Sequence, residues 1–125
     1  MRQGRVDYRM ARRATVRDVR EGLTTRDSVC DAHPELVRAS IHIGQPVDED
    51  CPMCGEDGLG HVTYVFPSYG PAARRGKAVP RDSLPAQVRR HGDLRVYTVE
   101  VCRACLWHHL IEKFDLTPRG RAHAG

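Results

Sequence analysis

The chain has 125 residues, with 20 basic and 16 acidic side chains and a formal net charge of +4. This length suits one domain, or one small domain with an attached arm. No stretch approaches the ~18 apolar residues of a membrane-spanning helix, and the first residues contain no apolar run typical of a secretion signal. We therefore exclude an integral membrane protein and expect a cytoplasmic protein without membrane contact.

Charge is unevenly distributed along the chain. Residues 1–20 contain seven arginines against two acidic residues, and residues 61–125 contain eleven basic against five acidic residues. Between them, residues 21–60 contain nine acidic residues and only two arginines. This layout permits contact with nucleic acid, or pairing of the segments with one another.

The first predicted element is an amphipathic helix over residues 6–22, a segment without Pro or internal Gly that ends at Gly22. At roughly 100° per residue, five arginines fall on one side of this helix. They are Arg2, Arg5, Arg9, Arg13 and Arg20. An ordinary solvated face and an anion-docking surface both fit this stripe. A second helix is predicted from Pro34 to Gly44, so residues 1–46 are predicted to form an N-terminal helical arm.

The rest of the chain is predicted as a ribbon of about three antiparallel strands over residues 47–116, which makes the fold class α+β. The strand candidates are residues 61–66, 94–101 and 106–116, with a helix as the alternative for the third. The second places Val96, Thr98 and Glu100 on one face. An insert at 67–93 contains four Pro and three Gly and is predicted as a loop with one short helix closed by Gly92. Residues 117–125 are predicted to be a flexible tail.

Four of the five cysteines form two CxxC pairs, Cys51 with Cys54 and Cys102 with Cys105. Structural Zn²⁺ takes four ligands in a tetrahedron, and a two-residue gap lets both sulfurs of one turn face the same ion. The 47 residues between the pairs do not weaken this assignment. Each doubling of a loop costs only about 0.6 kcal/mol, whereas structural zinc contributes an apparent ~10–16 kcal/mol. The sequence predicts one closed Zn²⁺ site with no open position for catalysis.

Three other side chains lie outside this pattern. Cys30 is interpreted as a small buried hydrophobe, with a redox-active or metal-sensing thiol as the alternative. His108 and His109 are neighbours on a predicted strand and point to opposite faces, so both cannot easily approach one metal. One of them is expected to pack beside Trp107 or the sheet, and the other to face solvent. His61 is the alternative ligand if a cysteine is displaced.

Five segments carry a resemblance to a known group of proteins: VDYRMARRATVRDVREG, SVCDAHPELVRAS, CPMCG, TYVF and RVYTVEVCRACLWHHL. Together they resemble a family of small actinobacterial proteins catalogued as a domain of unknown function. The resemblance covers nearly the whole chain except residues 67–90 and the tail. The family pattern has Gly before the Trp and Asn after it, where this chain has Leu106 and His108. The resemblance implies no activity.

Function is predicted from the metal site and the basic residues together. Four-cysteine ribbons often serve as rigid platforms in transcription and translation machinery. The predicted partner surface consists of Arg2, Arg5, Arg9, Arg13 and Arg20 on the helix and Arg74, Arg75, Lys77 and Arg81 in the insert. We expect a non-enzymatic zinc-binding module that docks on RNA polymerase, the ribosome or nucleic acid itself.

Two alternatives remain open from the sequence. The first is a protein–protein adaptor without nucleic-acid contact, and the second, less favoured, is a metalloenzyme that uses His108 or His109. The acidic segment at 21–60 is also able to fold back on the helix. In that case internal ion pairs neutralise the arginine stripe.

Overall fold

The computed structural model describes residues 2–118 and shows an α+β fold, as predicted. The helices are α1 (Arg9–Arg20), α2 (Pro34–His42) and α3 (Leu84–His91). The strands are β1 (Arg2–Asp7), β2 (Gln45–Pro46), β3 (Leu59–Pro67), β4 (Lys77–Val79), β5 (Leu94–Cys102) and β6 (His108–Leu116). They form one antiparallel sheet in the order β1-β6-β5-β3-β2, and β4 also pairs with β3. No helix within the described residues is long and apolar enough to cross a membrane.

The three strands expected from the sequence form the centre of this sheet. β3 and β5 pair along their whole length, from Leu59 opposite Cys102 to Pro67 opposite Leu94. The predicted alternation along β5 is confirmed, because Val96, Thr98 and Glu100 are all buried on the same face. β1, β2 and β4 extend the sheet beyond the predicted three strands. The short helix in the insert is also confirmed, and it ends at Gly92, whose φ is 76°.

The N-terminal helix begins later than predicted. Residues 2–7 form β1, which pairs with β6 at the edge of the sheet. Gly4 adopts a φ of 59° within the register irregularity of that pair, a backbone conformation that glycine adopts readily. The carboxylate of Asp7 then accepts a hydrogen bond from the N–H of Arg9 at 2.9 Å, which satisfies a free donor at the start of α1. The predicted helix from residue 6, and a purely helical arm over residues 1–46, are therefore wrong at this end.

Helices cover both faces of the sheet. On one face, α3 packs Leu84 and Val88 against Val96 and neighbouring strand residues. α1 packs Val16 against the same face near Cys102. On the opposite face, α2 packs against a cluster that includes Val62 and Val101. These apolar clusters hold the cysteine-containing turns at one end of the sheet.

A strip of polar side chains separates the α1 and α3 clusters. Glu112 of β6 accepts hydrogen bonds from Arg5 at 2.9 Å, from Arg81 at 3.2 Å and from the Thr98 hydroxyl at 3.1 Å. Burial alone would raise the pKa of Glu112, but the hydrogen bonds from Arg5 and Thr98 and the charge of Arg81 lower it below its usual value. This carboxylate joins β1 and the insert to the central sheet.

We predict that Glu112→Gln lowers the free energy of unfolding at pH 7 by about 1–3 kcal/mol, because three donors lose an ionised acceptor. A depressed pKa contributes stability above the unfolded pKa, near 4, and this contribution is lost as the pH falls through the folded pKa. The difference in free energy of unfolding between wild type and Glu112→Gln, measured by urea titration, should therefore become smaller below about pH 4. Glu35→Gln removes an exposed carboxylate and is the control, with little expected effect. An undiminished difference at low pH would contradict this role for Glu112.

Candidate metal centre

Two CxxC turns meet at one end of the sheet. The first, Cys51 to Cys54, precedes β3, and the second, Cys102 to Cys105, connects β5 to β6. β3 and β5 are antiparallel neighbours, and Leu59 at the start of β3 lies opposite Cys102. The sheet register therefore brings together two turns that are far apart in the sequence.

The two turns have the same local structure. The N–H of Gly55 donates to the carbonyl of Cys51 at 2.9 Å, and the N–H of Leu106 donates to the carbonyl of Cys102 at 2.9 Å. In each turn the donor follows the second cysteine and has a positive φ, 76° for Gly55 and 71° for Leu106. The N–H of Met53 also points at the sulfur of Cys51, at 3.4 Å. Such N–H groups favour the thiolate form that a metal requires.

The four sulfurs form a compact cluster. All four Sγ atoms lie within 4.8 Å of one another, and the pairs Cys51–Cys105 and Cys54–Cys102 are each 3.7 Å apart. A tetrahedron with Zn–S bonds of ~2.3 Å has edges of ~3.8 Å, so the set fits Zn²⁺. Within residues 2–118, no other group of three or more His, Cys, Asp or Glu side chains is placed to hold an ion. The four cysteines are thus positioned to bind a metal ion.

The four cysteines ionise together only if a cation is bound between them. Burial raises the pKa of Cys51, Cys102 and Cys105. Burial also opposes ionisation of Cys54, but the backbone N–H of Glu56 and the neighbouring thiols lower its pKa overall. Four thiolates at these separations repel one another, so a divalent cation is needed to ionise all of them together.

Cys30 lies beside the cluster but outside it. Its sulfur is 3.8 Å from that of Cys105. Hydrogen bonding to Cys30, with a smaller contribution from Cys105, raises the pKa of the neighbouring Arg26. Cys30 is half-buried and packs against the apolar cluster that contains Val16 and Trp107. The contact between Cys30 and the predicted ligand Cys105 was not apparent from the sequence, because 75 residues separate the two cysteines.

The histidines near the second turn make other contacts. His109 stacks on Trp107 with ring centroids 5.8 Å apart, as expected for one of the pair. His108 Nε2 lies 2.8 Å from the carboxylate of Asp31. His61 lies 3.2 Å from a carboxylate oxygen of Glu100. None of the three belongs to the four-sulfur cluster.

Glu100 connects α1 to the second turn. One of its oxygens accepts hydrogen bonds from the Trp107 indole at 3.0 Å and from Arg12 at 2.8 Å. Its side chain is only 5% exposed. Burial would raise its pKa, but hydrogen bonds from His61, Trp107 and Arg12 lower it to about 2. Arg12 was not predicted to face inward, although its spacing of four from Val16 indicates this.

The predicted partner surface includes three arginines that other groups of the same chain engage. Arg2 and Arg5 lie in β1, where Arg2 stacks over Phe114 at 4.3 Å and Arg5 pairs with Glu112. Arg81 pairs with Glu112 as well. Groups of the same chain engage these three arginines, although Arg2 and Arg5 are exposed, and their part in a docking surface stays a prediction.

The remaining predicted residues are exposed. We call the arginines along the outer side of α1 the α1 basic surface: Arg9, Arg13, Arg17 and Arg20. Arg17 was not predicted, and within residues 2–118 only Arg9 of the four has an ion-pair partner, Asp7 at 3.6 Å. In the part of the chain that is described, none of the acidic residues at 21–60 pairs with this surface. Arg74, Arg75 and Lys77 are exposed beside β3 and β4, away from α1.

The chain belongs to a family described as a family of unknown function (DUF5318), whose model matches residues 1–124. It is 36% identical over 111 residues to the uncharacterized protein Rv0049 of Mycobacterium tuberculosis, covering 89% of this chain and 80% of that protein. The same values hold for the uncharacterized protein Mb0050 of Mycobacterium bovis. No solved structure matches the chain. The expected resemblance to an actinobacterial family of unknown function is confirmed.

We predict one zinc ion per chain after purification in metal-free buffer, measured by elemental analysis. Cys102→Ser should lose the metal and unfold the protein at moderate temperature, because structural zinc contributes about as much as the ~5–15 kcal/mol stability of a domain. Cys30→Ser is the matched control and should retain the zinc, since Cys30 lies outside the tetrahedron. A metal-free wild type with disulfides in place of the ion would contradict the site.

Leu106 has a positive φ at the position that Gly55 occupies in the first turn. We predict that Leu106→Gly raises the free energy of unfolding by about 0.5–1 kcal/mol, since relief of the left-handed conformation exceeds the entropic cost of glycine. Leu106→Ala removes the same partly exposed side chain without relieving the backbone and should not stabilise. Chemical denaturation of the zinc-loaded proteins measures both changes. Equal effects of the two substitutions would contradict backbone strain at this position.

Proposed function

We propose that the chain is a non-enzymatic zinc-binding module of the cytoplasm, and that its α1 basic surface docks on the phosphate backbone of nucleic acid. The observation that carries the proposal is the exposure of Arg13, Arg17 and Arg20 without acidic partners in the described chain. They are spaced four and three residues apart, so they share one side of the helix. Like charges at these spacings repel, and an anionic partner compensates them.

The metal centre supports this proposal by fixing α1 in place. Val16 packs against the cluster formed by Cys51, Cys102 and Trp107. Arg12 binds Glu100, only two residues before Cys102. The inner side of α1 is therefore anchored to the metal centre while its outer side faces solvent. A rigid helix loses little conformational entropy on binding, which favours affinity.

The shape beside α1 also suits a polyanion. A cleft of about 500 Å³ lies between the helix and Pro52 of the first CxxC turn, and its walls include Arg13, Arg17 and Arg20 and one carboxylate, that of Glu21. Arginine side chains can donate two parallel hydrogen bonds to one phosphate. A phosphate backbone that follows the helix would contact these guanidinium groups in turn.

A catalytic role has less support. Four cysteine ligands complete the tetrahedral coordination of Zn²⁺, so no position remains for a reacting water. The buried Glu100 accepts hydrogen bonds from several donors and has a pKa of about 2, which suits a permanently ionised anchor and not a proton-transfer group.

A protein adaptor is the second candidate. Met10 on α1 is 76% exposed and Leu23, just after the helix, is 73% exposed. Exposed apolar side chains of this size beside a charged surface are common in protein interfaces. They favour a protein partner if the basic surface binds no nucleic acid.

We predict that the protein binds short duplex DNA or single-stranded RNA of mixed sequence, with affinity that falls steeply as salt rises. Three arginines that each contact one phosphate give a slope of log K against log salt of about −2.7 on duplex DNA. Arg13→Glu combined with Arg17→Glu should weaken binding at least tenfold, with little change in melting temperature because both side chains are exposed.

Arg89→Glu combined with Arg90→Glu makes the same change of charge on α3 and is the matched control. A third double variant, Arg74→Glu with Arg75→Glu, tests the insert. Fluorescence anisotropy at several salt concentrations measures the affinities of wild type and the three double variants. Equal losses for the α1 and α3 variants would mean that only net charge matters. No binding at low salt would overturn the nucleic-acid proposal and favour the adaptor.

A further inference from the structure

A second cavity lies at the opposite end of the sheet from the cysteines. It is an open groove of about 650 Å³ between α3 and the end of β6. The register places it there, because Leu116 of β6 pairs with both Leu94 and Arg2, whereas Cys102 ends β5 at the other end. The α1 basic surface does not contribute to this groove.

The floor of the groove is apolar. Leu84 and Val88 of α3, together with Phe114 and Leu116 of β6, line it. The first three belong to the apolar cluster beneath α3, so the floor is backed by a packed core. Its volume lies within the range of about 300–1,000 Å³ that is typical of small-molecule sites.

The rim of the groove is cationic. Arg2, Arg81 and Arg89 line it, and no acidic side chain does. Arg81 is neutralised by Glu112. Arg2 stacks on Phe114, and neither Arg2 nor Arg89 has an ion-pair partner in the described part of the chain. Two guanidinium groups without a counter-charge therefore border an apolar floor.

We propose that this groove binds a free amphipathic carboxylate, such as a medium-chain fatty acid, with its chain on the floor and its carboxylate at Arg2 and Arg89. An apolar floor alone would accept any hydrophobe, and arginines alone would accept any anion. Their combination selects a molecule that has both parts. The site is separate from the metal centre and from the proposed nucleic-acid surface.

Titration calorimetry of the zinc-loaded full-length protein with dodecanoate, below its micelle concentration, tests this proposal. Each added methylene between octanoate and dodecanoate should tighten binding about threefold to fourfold. Dodecylammonium, which has the same chain and the opposite charge, should bind much more weakly. Arg2→Glu and Arg89→Glu should each weaken dodecanoate about fivefold, as expected for partly exposed ion pairs. Arg74→Glu is the control and should bind as wild type does.

Amide chemical shifts locate the bound ligand. Saturable shifts at Val88, Phe114 and Leu116, and not at the cysteine-containing turns, support the proposal. Equal affinity for dodecanoate and dodecylammonium would overturn it, as would equal effects of the Arg74 and Arg89 substitutions. If dodecanoate binds only to a chain shortened to end at Pro118, the occupant of the groove is residues 119–125 of this protein and not a free carboxylate. Dissociation of a dimer by dodecanoate would assign it to a second copy.

Discussion

The convergence of four cysteines at one end of the sheet is the constraint on which the rest of the structure depends. Two short turns, 47 residues apart, bring four sulfurs to separations that match a zinc–thiolate tetrahedron. Burial raises the pKa of three of these thiols, so a cation is needed to hold all four as thiolates. The position of α1 follows from this end of the sheet, through Val16 and the Arg12–Glu100 pair.

Polar interactions, as well as apolar packing, hold α1, β1 and the insert on the sheet. Glu100 and Glu112 lie on the same face, and each is bound by arginine side chains from a different part of the chain. Such buried carboxylates contribute stability only while their arginine partners are present. Arginine consequently has two roles here. Some of the arginines bind buried carboxylates, and others, Arg13, Arg17 and Arg20 on the outer side of α1, have no ion-pair partner in the described chain.

The sequence predicted the metal ligands and the central strands because both depend on local spacing. Two CxxC pairs and the alternation around Val96 are visible without knowledge of tertiary contacts. The start of α1 was not predicted, because β1 is stabilised by pairing with β6, which lies more than 100 residues later in the sequence. The pairing of Arg5 and Arg81 with Glu112 was not predicted for the same reason. Their partner, Glu112, is 107 and 31 residues away, and helical periodicity carries no information about it.

X-ray absorption at the zinc edge of the purified protein is the most direct test of the account, because it reports the atoms bound to the metal. Four sulfur neighbours at ~2.3 Å, with no nitrogen or oxygen in the first shell, are the expected result. The Cys30→Ser variant should give the same spectrum. A first shell with one or more nitrogen or oxygen ligands would contradict a closed four-cysteine centre and return His61, His108 or a bound water to consideration as ligands.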